Sequence, residues 1–256
     1  MIGSIAGDVI GSIFEHNPTK SRDFSLLTTE STYTDDTVLT VAIAEAILTR
    51  QPYEKTMKHF GRQFPYAGYG MSFFQWLQAE ESEPYFSWGN GSAMRVSPVG
   101  FAFDNMDRVL AEAKKSATVT HNHPEGIKGA QATALSIYLA RTGSSKERIR
   151  NVIQNRFGYN LSRTLDAIRP SYSFDVSCQG SVPESIIAFL ESESVEDAIR
   201  NAISLGGDSD TMACIAGGIA QAFYGKLPED LERQVRMRLP DMFLDVIDRF
   251  SERFDW

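Results

Sequence analysis

A chain of 256 residues, 42% of them hydrophobic, is long enough to bury a sizeable core, and 25 basic against 33 acidic residues leave a net charge of −8. That balance disfavours unspecific attachment to nucleic acid or anionic lipid; no apolar run reaches the ~18 residues of a membrane span, and the opening MIGSIAGDVIGSIFE lacks the basic start of a secretory leader. The two cysteines, Cys178 and Cys214, make no disulfide framework, so a soluble protein of the reducing cytoplasm is expected.

Helical periodicity dominates, and no repeat, low-complexity tract or linker divides the chain; a single domain over residues 1–256 is expected. Gly3, Gly7 and Gly11 recur every four residues along a first helix that is expected to end at Glu15. Residues 37–48, TVLTVAIAEAIL, are apolar nearly all round and suit a buried helix. Residues 52–64, 105–117 and 124–140 read as helices, two of them with Pro at the first turn. Residues 171–178, SYSFDVSC, alternate like a half-buried strand; an extended loop carrying Phe174 across a pocket fits the same pattern. A helix follows over residues 183–190. Ser194-Val195-Glu196-Asp197 resembles a capping box that opens another, and Gly206 supplies its stop. After GGDSDT at 206–211, Ala213, Ala216, Gly217 and Ala220 share one helix face, with Met212, Ile215, Ile219 and Phe223 on a bulky one. Both small-residue ridges read as close helix packing. Two amphipathic helices over residues 228–254, interrupted at Pro240, close the chain.

Two acidic clusters stand at helix entrances: Thr34-Asp35-Asp36-Thr37 and Gly206-Gly207-Asp208-Ser209-Asp210-Thr211. Backbone N–H groups and the helix dipole welcome one acceptor there as a cap. A second carboxylate exceeds that need, and carboxylates brought together repel. Taken singly, each cluster suits capping and ligand roles alike. If the two entrances converge, an all-oxygen set without Cys or His suits a hard divalent ion, Mg²⁺ or Mn²⁺, and four carboxylates accommodate two. An EF-hand is excluded, because the sixth and twelfth places from Asp208 are Ala213 and Ile219. Ser87-Trp88-Gly89-Asn90-Gly91-Ser92 can form an anion nest for a pyrophosphate, with Trp88 stacking on a base, or an ordinary tight turn. His121, in THNHP, can reach a phosphate or a ribose hydroxyl, or serve as a solvated or capping side chain. Glu15 reads locally as a surface residue.

In chain order, GSIAGDVIGSIFE (3–15), YTDDT (33–37), WGNGSAMR (88–95), THNHPEG (120–126), SVPESIIAFL (181–190) and GGDSDTMACIAGGIAQAFYG (206–225) resemble the ADP-ribosylglycohydrolase family. That family includes dinitrogenase reductase-activating glycohydrolases and the ADP-ribosyl-serine and ADP-ribosyl-arginine hydrolases. The resemblance implies a compact all-α fold with two Mg²⁺ ions, or Mn²⁺, at the bottom of a cleft. It implies Thr34, Asp35 and Asp36 as metal ligands from one side and Asp208, Asp210 and Thr211 from the other. Glu15 would lie on a mobile segment near metals and substrate, and Glu15, Asp35 and Asp36 would form the catalytic set, with Asp36 or Glu15 taking the proton. Ser87, Trp88, Gly89, Asn90, Gly91 and Ser92 would wrap the diphosphate and nearby ribose, Trp88 facing the nucleoside end. His121 would stand near the phosphates and Phe174 beside the adenine. The implied reaction is hydrolysis at C1″ of the distal ribose by a metal-activated water. It would free ADP-ribose from a modified protein, a small molecule or an ADP-ribosylated nucleic acid, by a monomeric enzyme with no membrane partner. A two-metal phosphohydrolase acting on nucleotides is the rival chemistry. A silent ADP-ribose-binding relative is the other alternative, and it would be expected to lack ligand residues, all six of which are present.

Overall fold

The computed structural model describes residues 1–81 and 83–255, and among them it holds fifteen α-helices and no strand. Helix α1 (Ile2–Gly11) leads through a long loop, residues 12–34, to α2 (Asp35–Thr49), α3 (Tyr53–Gln63) and α4 (Met71–Gln78). Short α5 (Gly91–Met94) and α6 (Ser97–Ala102) precede α7 (Met106–Thr118), α8 (Pro124–Arg141), α9 (Lys146–Phe157) and the single turn α10 (Leu165–Ile168). The chain ends with α11 (Cys178–Leu190), α12 (Val195–Ile203), α13 (Ser209–Tyr224), α14 (Glu229–Arg236) and α15 (Asp241–Phe254).

Helix α13 is the axis. It is buried from Ser209 to Ala222, and α1, α8, α11 and α12 pack around it. The two small-residue ridges face each other, with α1 antiparallel to α13. A Cβ at Gly3 would stand 2.5 Å from the Gly217 carbonyl oxygen, one at Gly11 2.5 Å from Cα of Asp210, and one at Gly7 would overlap the Ala213 carbonyl. Only glycine permits this backbone contact. Its consequence is positional: the end of α1 meets the start of α13, which sets Asp8 and the turn carrying Glu15 beside the GGDSDT segment. Helix α2, apolar nearly all round as expected, is buried from Asp36 to Ala44 and packs on α3, α6 and α15.

The sequence and the structure differ at a few boundaries. Helix α1 stops at Gly11, so Glu15 lies beyond it on a turn, where Phe14 packs against Phe24 at 4.6 Å. The Lys20 ammonium, donating to the Tyr172 and Leu205 carbonyls, pins the following loop to the turn before α13. Helix α11 begins at Cys178 rather than at Pro183, because the Ser177 hydroxyl accepts the Gly180 N–H at 3.0 Å and starts the helix a turn earlier. Residues 171–177 form the extended loop, not a strand. Their pairing is one antiparallel bridge between Ser177 and Gly89, flanked by Asn90 N–H donating to Val176 O (2.8 Å) and Cys178 N–H to Trp88 O (3.0 Å). At α12 the Ser194 hydroxyl caps Asp197 N–H at 3.0 Å, but the Asp197 carboxylate reaches Glu193 N–H instead of closing the box on Ser194.

Candidate metal centre and cleft

The two acidic segments are not merely in front of their helices; they form the first turns. Thr34 is the N-cap of α2, accepting Asp36 N–H at 3.3 Å, while Asp35 N–H donates to Ala67 O at 2.7 Å. Asp208 stands at the N-cap position of α13 but caps nothing, and its Oδ2 instead accepts from the Asn90 amide at 2.8 Å. Asp210, in the first turn, accepts Thr211 N–H at 2.9 Å. The clusters touch directly where the Thr211 hydroxyl donates to Asp36 Oδ2 at 3.2 Å. Asp36 is 1% exposed, and its other oxygen, Oδ1, has no hydrogen-bond partner. An ionised oxygen left bare in the interior is costly unless a cation meets it.

A fifth aspartate completes the group. Asp8, fully buried in α1, accepts Thr34 Oγ1–H at 2.8 Å, Thr34 N–H at 3.0 Å, Thr37 N–H at 3.1 Å and the Thr37 hydroxyl. It holds the entrance of α2 against α1. Sequence reasoning passed over it, although a lone acid among glycines and apolar residues in a helix is a signal of a buried, paired charge. Ligand oxygens of Asp8, Asp36 and Asp210 lie within 4.8 Å of one another, as do those of Glu15, Asp208 and Asp210. Burial, and then the Asp210 charge, raise the carboxyls of Asp35, Asp36 and Asp208 well above the usual range and push Asp8 up to about 7. Glu15, partly exposed, is raised by the same two causes, with His16 opposing. The charges pressing on these groups are chiefly one another. Such an oxygen set, with a bare buried acceptor and mutual repulsion, fits hard divalent cations.

The carboxylates form the floor of a cleft of about 580 Å³. Its lining includes Glu15, Thr34, Asp35, Asp36, Asp208, Asp210 and Thr211, and on the facing wall Ser87, Trp88, Gly89, Asn90, Gly91, His121 and Phe174. Ser92 is the exception. It is fully buried and turned away, its hydroxyl donating to the Gly126 carbonyl at 2.7 Å, so it does not line the cleft. The Asn90 side chain is also spent within the protein, on Asp208 and on Ser181 Oγ at 3.2 Å, and thereby ties the glycine loop to the acidic floor. Trp88 and Phe174 are 48% and 53% exposed at the rim, two aromatic faces free to take a planar ring. Tyr85, Phe86 and Arg95 line the cleft as well, unanticipated from sequence.

An all-α fold that buries paired helix-entrance carboxylates under an aromatic-rimmed cleft defines a class of hydrolase. The chain matches the ADP-ribosylglycohydrolase family model over residues 1–255 and belongs to that family, whose activity is hydrolysis of ADP-ribose linkages. Among its relatives, the ADP-ribosylhydrolase ARH3 of Mus musculus is 27% identical, covering 91% of this chain and 85% of its own, and that of Homo sapiens is 26% identical over similar shares, 91% and 87%. The ADP-ribosylarginine hydrolase Tri1 of Pseudomonas putida is 32% identical over 54% of this chain and 38% of its own. A solved structure titled an ADP-ribosylglycohydrolase-related protein complex superposes with a TM-score of 0.77 at 22% identity, over 98% of this chain and 95% of that one. No helix among the described residues is long and apolar enough to cross a membrane.

Proposed function

We propose that the protein is a divalent-metal-dependent hydrolase that cleaves the bond between C1″ of the distal ribose and its acceptor, releasing ADP-ribose. The observation that carries this reading is the meeting of the two acidic helix entrances, with Asp36 Oδ1 buried and bare between them. Thr34, Asp35 and Asp36 would hold metal from one side, and Asp208, Asp210 and Thr211 from the other. Two Mg²⁺ or Mn²⁺ ions there would supply Lewis acidity, activating water near neutral pH and fixing ribose hydroxyls. Glu15 is the proton acceptor of choice. It is partly exposed on the cleft wall, whereas Asp36 is enclosed and already bonded to Thr211. As the water oxygen bonds to C1″, its proton passes to Glu15, and the acceptor departs with the electrons of the broken bond and takes up a proton from solvent, to which Glu15 then releases its own. Residues 87–91 and His121 would take the diphosphate and nearby ribose, with Trp88 and Phe174 at the adenine end.

The test is a panel of defined ADP-ribosylated arginine, serine and nucleic-acid substrates, with Mg²⁺ or with EDTA, followed by product chromatography. Free ADP-ribose that appears only with metal is the expected result. Released phosphate or AMP would instead identify a phosphohydrolase, and inactivity on every substrate a silent binder. Asp35→Ala and Asp210→Ala should each abolish turnover and weaken metal affinity; near-native activity in both, with metal still bound, would remove the assignment.

A further inference from the structure

Glu15 stands at the edge of the acidic floor, and among the described residues no hydrogen bond fixes its carboxylate; its ion contact is His16 Nε2 at 3.9 Å. Its place is therefore set by the backbone on either side. Upstream, Phe14 N–H donates to Gly11 O at 2.8 Å, and the Phe14 ring packs on Phe24. Downstream, His16, Asn17 and Pro18 are exposed, with one long bond from the Asn17 amide to Ile13 O at 3.4 Å, and the next firm anchor is Lys20. Its ammonium donates to Tyr172 O at 2.6 Å and to Leu205 O, just past the end of α12, where the helix dipole favours a cation. Thr19 O and Lys20 Cε press on the turn at Gly206, each 3.1 Å from the place of an added Cβ. From Arg22 onward the loop has its own holder, because Arg200 Nη1 donates to Arg22 O at 3.0 Å and to Phe24 O at 2.7 Å.

Both carbonyls that Lys20 reaches belong to segments that build the site. Leu205 leads into Gly206 and the acidic segment that ends at Thr211. Tyr172 stands two residues before Phe174; a Cβ at Gly207 would overlap its ring, and its hydroxyl donates to Gly180 O at 2.8 Å. One ammonium thus joins the span that carries Glu15, the turn that opens the acidic segment, and the loop that holds Phe174 at the rim. A lysine that merely closed its own loop would find acceptors within residues 12–34, whereas these two lie 152 and 185 residues away. We propose that Lys20 is a positioning residue for Glu15, tying residues 15–20 to the Phe174 loop so that a nucleoside held against Phe174 sets the carboxylate at the distal ribose. Lys20 is not among the residues that line the cleft, so it acts through Glu15 and not on the substrate. Without its two charge-assisted bonds the span has no firm hold between Phe14 and Arg22, and a proton acceptor misplaced by about 1 Å costs on the order of a hundredfold in rate.

The part given to Glu15 rests on the proposed function; the tie between the two segments does not, and the experiment separates them. Lys20→Met keeps the stem on Gly206 and removes the donors. On an ADP-ribosylated substrate that the parent cleaves, kcat should fall roughly 10- to 100-fold, while KM moves less than about twofold and calorimetric Mg²⁺ affinity is unchanged. Lys20→Arg, which can donate to both carbonyls, should recover most of the loss. Phe174→Ala should lower kcat and raise KM in the parent but only raise KM in Lys20→Met, a non-additivity in kcat that a merely structural lysine would not give. Without ligand, amide hydrogen exchange in Lys20→Met should quicken in residues 15–20 and 171–174 together, with α1 and α13 unchanged. A kcat within about twofold of the parent, additive kcat effects, or kcat, KM and Mg²⁺ affinity all impaired and not recovered by arginine would each overturn the positioning role. Exchange unchanged in either segment overturns the tie. If the parent cleaves no ADP-ribosylated substrate, the proposed function and the positioning role fall together, and the exchange measurement still decides the tie.

Discussion

At the scale of single residues, Asp36 and Asp8 sit in one acidic group yet should respond oppositely to loss of charge. Asp36 is pressed by Asp210, Asp8, Asp35 and Asp208 and keeps one oxygen bare. Asp36→Asn preserves its shape and its bond from Thr211 while removing the repulsion. In EDTA at pH 7.5 the variant should be more stable than its parent by roughly 1–2 kcal/mol, while turnover falls at least about a hundredfold and Mg²⁺ no longer raises the melting midpoint. A lower midpoint in EDTA would show that repulsion does not burden the metal-free protein. Asp8, by contrast, accepts four hydrogen bonds with its two oxygens. Asp8→Asn must turn an NH₂ toward donors, and at pH 8 in Mg²⁺, where the parent carboxylate is ionised, should lower stability by about 2–4 kcal/mol in urea unfolding, a loss that relief of the Asp210 repulsion partly offsets in EDTA. The same contrast explains what the sequence revealed. The pairs Asp35–Asp36 and Asp208–Asp210 stood out as candidates because two carboxylates at a helix entrance exceed what capping needs, and the two entrances do meet, through Thr211 and Asp36. Asp8 did not stand out, because its partners lie 26 and 29 residues away and its own neighbours are small and apolar. Ser92 was misread for the reason that residue type does not disclose facing: its hydroxyl points into the core.

At the scale of elements, the contact of α1 with α13 sets the site, since it decides how near Asp8 and Glu15 come to Asp210. Gly7→Ala would drive a methyl into the Ala213 carbonyl. Neither helix backbone can retreat without opening the core, so a loss of about 3 kcal/mol is expected, with kcat falling more than KM rises because the floor is displaced and the glycine loop is not. Gly70→Ala is the control: it lines the cleft, has open space at the added methyl, and should leave stability within about 0.5 kcal/mol. Equal melting midpoints for the two variants would mean the helices do not rely on glycine contact. These ridges were readable because fourfold spacing of small residues has one common physical use. Helix α9 was not read, since Lys146–Phe157 buries only Ile149 and Ile153 and shows too narrow an apolar stripe. The loop over residues 171–177 alternated like a strand because it is held extended by the glycine loop on one side, a tertiary cause invisible to local pattern.

At the scale of the whole molecule, the acidic floor links stability to pH and to metal together. In the unfolded chain these aspartates release their protons near pH 4. In the folded, metal-free protein Asp8 holds its proton up to about 7, and Asp35, Asp36 and Asp208 are raised as well. Between those limits the folded state binds more protons than the unfolded one, so stability must fall as pH rises, the reverse of a salt-bridged aspartate. A carboxyl moved from 3.8 to about 7 changes stability by on the order of 4 kcal/mol across that window. Sharing of protons among neighbouring carboxylates reduces this to about 2 kcal/mol, or a melting midpoint about 4–8 °C lower at pH 7.5 than at pH 5 in EDTA. Divalent ions take over the neutralising role only when the ligands are ionised, so their stabilisation should grow in the same interval where protons are lost. Calorimetric scans from pH 5 to 8 in EDTA and in saturating Mg²⁺ should therefore diverge, the EDTA series falling while the Mg²⁺ series stays level or rises. Parallel series would mean that protons and metal do not compete for these oxygens, and the carboxylate floor would lose its place as the ion-binding site.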